Sequence, residues 1–248
     1  MESDSRLSKS GSAGEQVRWC SWPCSQCAAG ATPVGFLGAS HRANPQVSHH
    51  ASSLSVNERI EYLVGFERGQ LALWCSSCAH VGGFREDTLL RIAEGSEHAV
   101  YKCFGEDECS VDVVKITHFG LYGDYYEVEG GRISQFACTP SQYLTRMGLL
   151  DNFGLPTTPA GITEFGQIVS RQKFIVGDLP SQAEVNAFMI EAGMIPVKVE
   201  CFLWKTHADD IEIWVGDVRD ENFVKTDAGI VPIDIRMWTK RSSETTGD

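Results

Sequence analysis

Apolar positions change their period several times along the chain, and each change predicts an element. Asn57-Glu58-Arg59-Ile60-Glu61-Tyr62-Leu63-Val64 carries apolar residues at helical spacing, with Asn57 as the expected cap. Leu71-Ala72-Leu73-Trp74 continues the pattern, and Gly65 or Gly69 predicts a break between the two pieces. The residues then turn β-branched and aromatic. Ala99–Cys103 and Val111–Thr117 are predicted strands, joined in a hairpin by the acidic turn Gly105–Glu108. Thr139 caps a predicted helix with Pro140 at its first position, and apolar residues recur at Tyr143, Leu144, Met147 and Leu150. Ile162–Val169 and Lys173–Val176 are expected to be a further pair of strands. Pro180–Gly193 is the clearest helix, with Ser181 and Glu184 as a capping box and Gly193 as a stop. Short strands follow at Cys201–Lys205, Ile211–Val215, Asn222–Thr226 and Ile230–Ile235, separated by Asp-rich turns. The pattern predicts an α+β protein: a strand-rich first part enclosing one helix, then a mixed second part.

Residues 1–54 lack any persistent period and are rich in Ser, Gly, Ala, Pro and His. Such a stretch buries too little apolar surface to offset its ordering entropy, so it is expected to be a disordered leader, with 241–248 a disordered tail. The ordered domain is expected over 55–240.

Charge narrows the partners. Acidic residues outnumber basic ones by 33 to 21. Gripping a phosphate backbone needs many lysines and arginines, so no nucleic-acid partner is expected. No run of ~20 apolar residues is present, so no membrane partner is expected. The N-terminus lacks a basic flank and an apolar core, which points to the reducing cytoplasm. Nine cysteines, an odd number, argue against a disulfide framework. Cys75-Ser-Ser-Cys78 has zinc-like spacing but no second pair, so the cysteines are read as free thiols.

The densest chemistry lies in Val215-Gly216-Asp217-Val218-Arg219-Asp220-Glu221-Asn222-Phe223-Val224, followed by Val231-Pro232-Ile233-Asp234. Phosphoryl transfer uses one carboxylate to orient or accept the proton of the attacking hydroxyl. An amide oxygen and a second carboxylate then hold magnesium against the phosphates. Asp217, Asn222 and Asp234 supply these groups in that order; alternatively the aspartates form turns. Upstream, Lys115 stands in the apolar strand Val113-Val114-Lys115-Ile116 and must snorkel or meet an anion. The turn Gly95-Ser96-Glu97-His98 precedes it, and its backbone N–H groups could cover phosphates. His118, Trp204, Trp214, Arg219 and Asp220 are read as structural or solvent-facing.

From Gly95 to about Trp238 the chain resembles the kinase domain family of phage and mobile-element polyvalent proteins. The pieces that carry the resemblance run in order. They are Glu97-His98-Ala99-Val100-Tyr101, Val114-Lys115-Ile116-Thr117, Thr139-Pro140-x-x-Tyr143-Leu144-x-Arg146, the region from Gly177 to Gly193, Gly216-Asp217-x-x-x-x-Asn222-Phe223, and Gly229–Asp234. The resemblance implies a bilobal protein-kinase-like fold, with an antiparallel-sheet N-lobe over about 55–176 and a mixed helical C-lobe over about 177–240. It implies ATP and Mg²⁺ as cofactors, and a protein or small molecule as phosphate acceptor. Lys115 would sit on the third N-lobe strand, with the helix Thr139–Leu150 behind it. Gly95, Ser96, Glu97 and His98 would cover the nucleotide, and the segment around Val176 and Asp178 would read adenine. Asp217 and Lys115 would be catalytic, and Asn222 and Asp234 would hold the metal. Val-Gly-Asp stands where protein kinases have His-Arg-Asp, which is closer to the aminoglycoside phosphotransferases. The helix 140–150 has no glutamate for Lys115; Glu127, Glu129 and Glu164 are the open substitutes. The alternative expectation is therefore a nucleotide-binding pseudokinase that acts as an interaction module.

Overall fold

The computed structural model describes residues 19–21, 33–77, 81–82, 89–104, 111–153, 156–198, 200, 202–208 and 210–241. Five helices run α1 (Pro33–Ala43), α2 (Pro45–Ser52), α3 (Val56–Ser77), α4 (Pro140–Leu150) and α5 (Gln182–Glu191). The strands of the first part are β1 (Trp19–Ser21), β2 (Val81–Gly82), β3 (Leu89–Glu94), β4 (His98–Phe104), β5 (Val111–Thr117), β6 (Asp124–Glu129), β7 (Arg132–Ala137), β8 (Thr158–Thr163) and β9 (Ile168–Lys173). Those of the second are β10 (Ile195–Lys198), β11 (Leu203–Ala208), β12 (Ile211–Gly216), β13 (Phe223–Thr226), β14 (Gly229–Pro232) and β15 (Arg236–Arg241).

The fold is α+β with antiparallel sheets. One sheet orders its strands β2-β1-β8-β9-β5-β4-β3, and a second orders them β10-β11-β12-β15. β6 with β7 and β13 with β14 form separate hairpins. β5 lies inside the first sheet, between β4 and β9, which is why Val113, Val114, Lys115 and Thr117 on both its faces are buried. One hydrophobic cluster joins Leu37 of α1, Leu71 and Trp74 of α3, Tyr143, Leu144 and Met147 of α4, and Ile162 and Ile168 of β8 and β9. Another joins Val185 and Met189 of α5 to Trp204, Val215, Phe223 and Met237. Leu149 and Leu150 at the end of α4 pack on this second cluster, so α4 touches both.

Local signals set the two best-predicted helices. Thr139 and Ser181 both form complete capping boxes, with Gln142 and Glu184, and each ties its backbone N–H donors as expected. Gly193, at φ 76°, ends α5 in the left-handed region that glycine tolerates.

Other expectations need correction. Residues 1–54 are not wholly a disordered leader: α1 and α2 fall inside them, and Leu37 is fully buried against α3 and α4. Tertiary burial supplies what the local sequence does not. α3 is unbroken at Gly65 and Gly69, and its cap is Ser55, whose N and Oγ both bond Glu58 Oε2, rather than Asn57. The strand pair is shifted: β8 ends at Thr163, β9 starts at Ile168, and Phe174–Val176 lies outside the strands. Asn222 lies in a 3-10 turn ahead of β13, and Asp234 follows β14 in a bend. The turn Gly105–Glu108, Cys78 and residues 242–248 lie outside the described residues. Cys103 and Cys138 are buried free thiols, and Cys75 is buried. Among the described residues no helix is long and apolar enough to cross a membrane.

Candidate functional site

Lys115 and Asp234 meet. Lys115 Nζ donates to Asp234 Oδ1 at 2.9 Å and to the Ile233 carbonyl at 2.8 Å. The lysine is buried on β5 while the Asp234 side chain stays 54% exposed. The strand thus delivers a cation to the bend after β14. Crowding around the Asp234 carboxyl opposes ionisation, but the Lys115 ammonium outweighs it and, with a smaller effect from His98, holds the acid down at about 2.

Asp217 joins them through its loop. The loop leaves β12 at Gly216, and Asp217 takes φ 60°, a left-handed conformation that aspartate adopts more readily than most residues. Asn222 Nδ2 donates to the Asp217 carbonyl at 2.8 Å, closing the loop on itself. The Asn222 carbonyl accepts from Ile233 N at 2.8 Å, tying this loop to the Asp234 bend. From α5, Gln182 Nε2 bonds the Val218 carbonyl at 2.9 Å and its Oε1 accepts from Asp220 N at 3.0 Å. The loop and the bend, which flank the β13–β14 hairpin, are therefore tied to each other through Asn222, and the loop to α5 through Gln182.

A cleft of about 260 Å³ receives these groups. Gly95, Ser96, Glu97 and His98 wall it on one side, and Asp217, Asp234 and Arg236 on the other, with Arg146 between. The turn 95–98 is pinned: Gly95 N bonds the His98 carbonyl at 2.9 Å, and His118 N bonds the Glu97 carbonyl at 2.8 Å. Glu97 points inward. Its Oε2 accepts from Arg146 Nη2 at 2.9 Å, and Arg236 Nε lies 2.8 Å from its Oε1, though misaligned for a hydrogen bond. Burial is the strongest single influence on the Glu97 carboxylate and works against it, but the charge and hydrogen bond of Arg146, together with Arg236, leave its pKa below the ordinary value. Arg236 also reaches Asp124 at 3.3 Å and lies 3.9 Å from Asp217 Oδ2. His98 is buried with Nε2 2.6 Å from the Tyr143 hydroxyl, and burial pushes it down to about 4, so it is neutral at pH 7.

The sequence-predicted residues thus divide. Asp217, Asp234, Gly95, Ser96, Glu97 and His98 line one cleft, and Lys115 reaches it through Asp234. Asn222 is not in the cleft wall; its amide NH₂ is turned to the Asp217 backbone. Val176 and Asp178 are not in the wall either. Val176 is exposed, and Asp178 forms a two-bond backbone bridge with Lys225. Gly177 lies so close to the Lys225 carbonyl that only glycine fits. None of Glu127, Glu129 and Glu164 takes Lys115, which is satisfied by Asp234 and Ile233. Sequence reasoning missed the Arg146–Glu97–Arg236 set. Its one available signal was an arginine on the buried face of a helix, beside Tyr143 and Met147, where it has to find an anion.

The carboxylates of Asp217 and Asp234 are hard oxygen donors in one open cleft with room for water, which suits magnesium. No group of three His, Cys, Asp or Glu side chains forms a metal cage among the described residues. Set against protein-family models, curated proteins and solved structures, the chain matches none of them.

Proposed function

We propose that the protein is an ATP-dependent phosphotransferase of protein-kinase-like, bilobal build, moving a phosphoryl group to a hydroxyl of a protein or small molecule. The observation that carries this reading is the meeting of Lys115 with Asp234 at 2.9 Å in the cleft that Asp217 also lines. The resemblance implies Lys115 on the third N-lobe strand with the helix Thr139–Leu150 behind it; Lys115 lies on the third strand of the β3-β4-β5 run, and α4 comes after the intervening β6–β7 hairpin.

Each side chain has a task that its surroundings support. Asp217 orients the acceptor hydroxyl and takes its proton. Lys115 neutralises charge on the phosphates. Asn222 is a positioning residue that holds the Asp217 loop to the Asp234 bend. Asp234 would hold magnesium, which screens phosphate charge when bound. At about 260 Å³ the cleft is below the roughly 300–1,000 Å³ of ordinary ligand pockets. Entry of a whole nucleotide therefore requires the turn 95–98 to lift off Arg146 and Arg236.

The test is ATP turnover by purified protein with magnesium, compared with Asp217→Ala. Activity that survives the substitution unchanged removes Asp217 from the mechanism. A second reading, a nucleotide-holding pseudokinase, is favoured by one feature: Lys115 pairs with Asp234 rather than with a helix carboxylate. It predicts thermal stabilisation by ATP and magnesium without turnover.

A further inference from the structure

Arg236 fastens one end of its guanidinium to β6 and presents the other to Glu97. Nη1 donates to the Tyr126 hydroxyl at 3.2 Å and to Asp124 Oδ2 at 3.3 Å. The Nε–Nη2 edge carries two parallel N–H groups, the geometry that grips a carboxylate or phosphate through two oxygens. Glu97 lies against this edge and does not fill it. Nε is 2.8 Å from Glu97 Oε1 but out of line for a hydrogen bond, and Nη2 has no hydrogen-bond partner among the described residues. Unlike Arg146 Nη1, neither nitrogen is sealed from solvent. Arg236 lines the cleft and not the two neighbouring cavities that Arg146 also borders.

Strand register decides where this edge lies. Gly216 of β12 pairs with Arg236 of β15, so Asp217 leaves its strand beside Arg236, with Oδ2 3.9 Å from Nε. Asp234 stands two residues before Arg236 on the same strand entry. A phosphate on the Nε–Nη2 edge is thus next to Asp217 and close along the chain to Asp234. Charge decides how it arrives. Glu94, Glu97, Asp217 and Asp234 line the cleft against Arg146 and Arg236. A bare polyphosphate is repelled, so it enters with magnesium, and its immediate competitor for the arginine is the Glu97 carboxylate.

We propose that Arg236 binds the terminal phosphate of a magnesium-bound triphosphate, and that Glu97 is an internal competitor which the phosphate displaces from the Nε–Nη2 edge. The inference rests on the phosphotransfer reading for the identity of the ligand. It adds a phosphate-binding residue and a carboxylate that restrains access to it.

The probe is inorganic tripolyphosphate with excess magnesium, titrated into the full chain by isothermal calorimetry, with ATP turnover measured in parallel. Saturable one-to-one binding is expected. Arg236→Gln is expected to weaken it about tenfold or more, and Arg236→Lys, which keeps the charge without the fork, by about fivefold. Arg236 also holds Tyr126 and Asp124, so Glu97→Gln is the second variant. Its amide oxygen still accepts from Arg146, but its lost charge frees Arg236, and binding is expected to tighten about fivefold. A merely structural Glu97 would not give that gain. No saturable binding by the parent chain, unchanged binding in a folded Arg236→Gln protein, or no gain in Glu97→Gln each overturns the proposal. Binding in the expected order without ATP turnover upholds the phosphate contact and removes the phosphotransfer reading instead.

Discussion

The Lys115 ammonium and the Asp234 carboxylate, 119 residues apart along the chain, are 2.9 Å apart in space. Lys115→Met removes the charge and keeps the stem. The Asp234 pKa is then expected to climb from about 2 toward the ordinary carboxylate value of about 4. Carboxyl-carbon NMR across acid pH reads this directly. Because the Asp234 side chain is 54% exposed, stability should fall only slightly, by about 1 kcal/mol or less. ATP turnover should fall about a hundredfold or more.

His98 makes stability depend on pH in a different window. Burial lowers its folded pKa from 6.5 to about 4, so between those values the unfolded chain binds a proton that the folded one does not. Stability therefore falls as pH drops from 6.5 toward 4, by up to about 3 kcal/mol for a group so deeply buried. Asp234 adds a second loss lower down: its stabilisation is full above about 4 and disappears as pH falls toward about 2. Urea midpoints measured from pH 7 to pH 3 should show both. His98→Asn should flatten the upper window and leave the lower.

Arg146 and Glu97 form a buried pair, with side chains 7% and 11% exposed. Arg146→Met leaves Glu97 with Arg236 alone and is expected to cost about 3 kcal/mol. Glu97→Gln added to Arg146→Met removes the stranded charge and should restore part of that loss. A double-mutant cycle by urea denaturation checks the coupling, and simple additivity would mean that the pair contributes nothing.

Gly177→Ala places a methyl group against the Lys225 carbonyl and 2.7 Å from Val224 Cγ1. The two backbone bonds between Asp178 and Lys225 should loosen, at about 2 kcal/mol. Amide exchange at Lys225, whose N–H bonds the Asp178 carbonyl at 2.8 Å, is the sensitive measure. Exchange as slow as in the parent chain would show that the strand accommodates the methyl group.

What the sequence discloses here depends on how far apart the interacting residues lie. The Thr139–Gln142 and Ser181–Glu184 boxes join residues three apart, and α4 and α5 begin where those boxes predict. Lys115, Asp217 and Asp234 stand out because each is a charged residue at an apolar strand or its edge, and the structure brings them together. The Glu97 clamp draws on a turn, a helix and a strand with no fixed spacing, so along the chain only the arginine on the buried face of α4 hints at it. Gly130-Gly131 between alternating residues is a local hairpin signal, and both glycines take positive φ in the β6–β7 turn. α1 and α2 were hidden for the opposite reason. Their sequences favour no regular structure, and Leu37 is ordered by the helices it meets.

α1 also serves the rest of the protein. Its His41 Nε2 sits 2.9 Å from Glu67 Oε1, and Glu67, 3% exposed, reaches over to Ser141 N and Oγ at the start of α4. Shortening the chain to begin at residue 55, as its composition invites, would uncover the seat of Leu37 on Leu71 and Tyr143 and take His41 from Glu67. Such a product should be sticky and short-lived in solution, binding hydrophobic dyes and clumping on warming, and its poor behaviour would misrepresent the intact molecule.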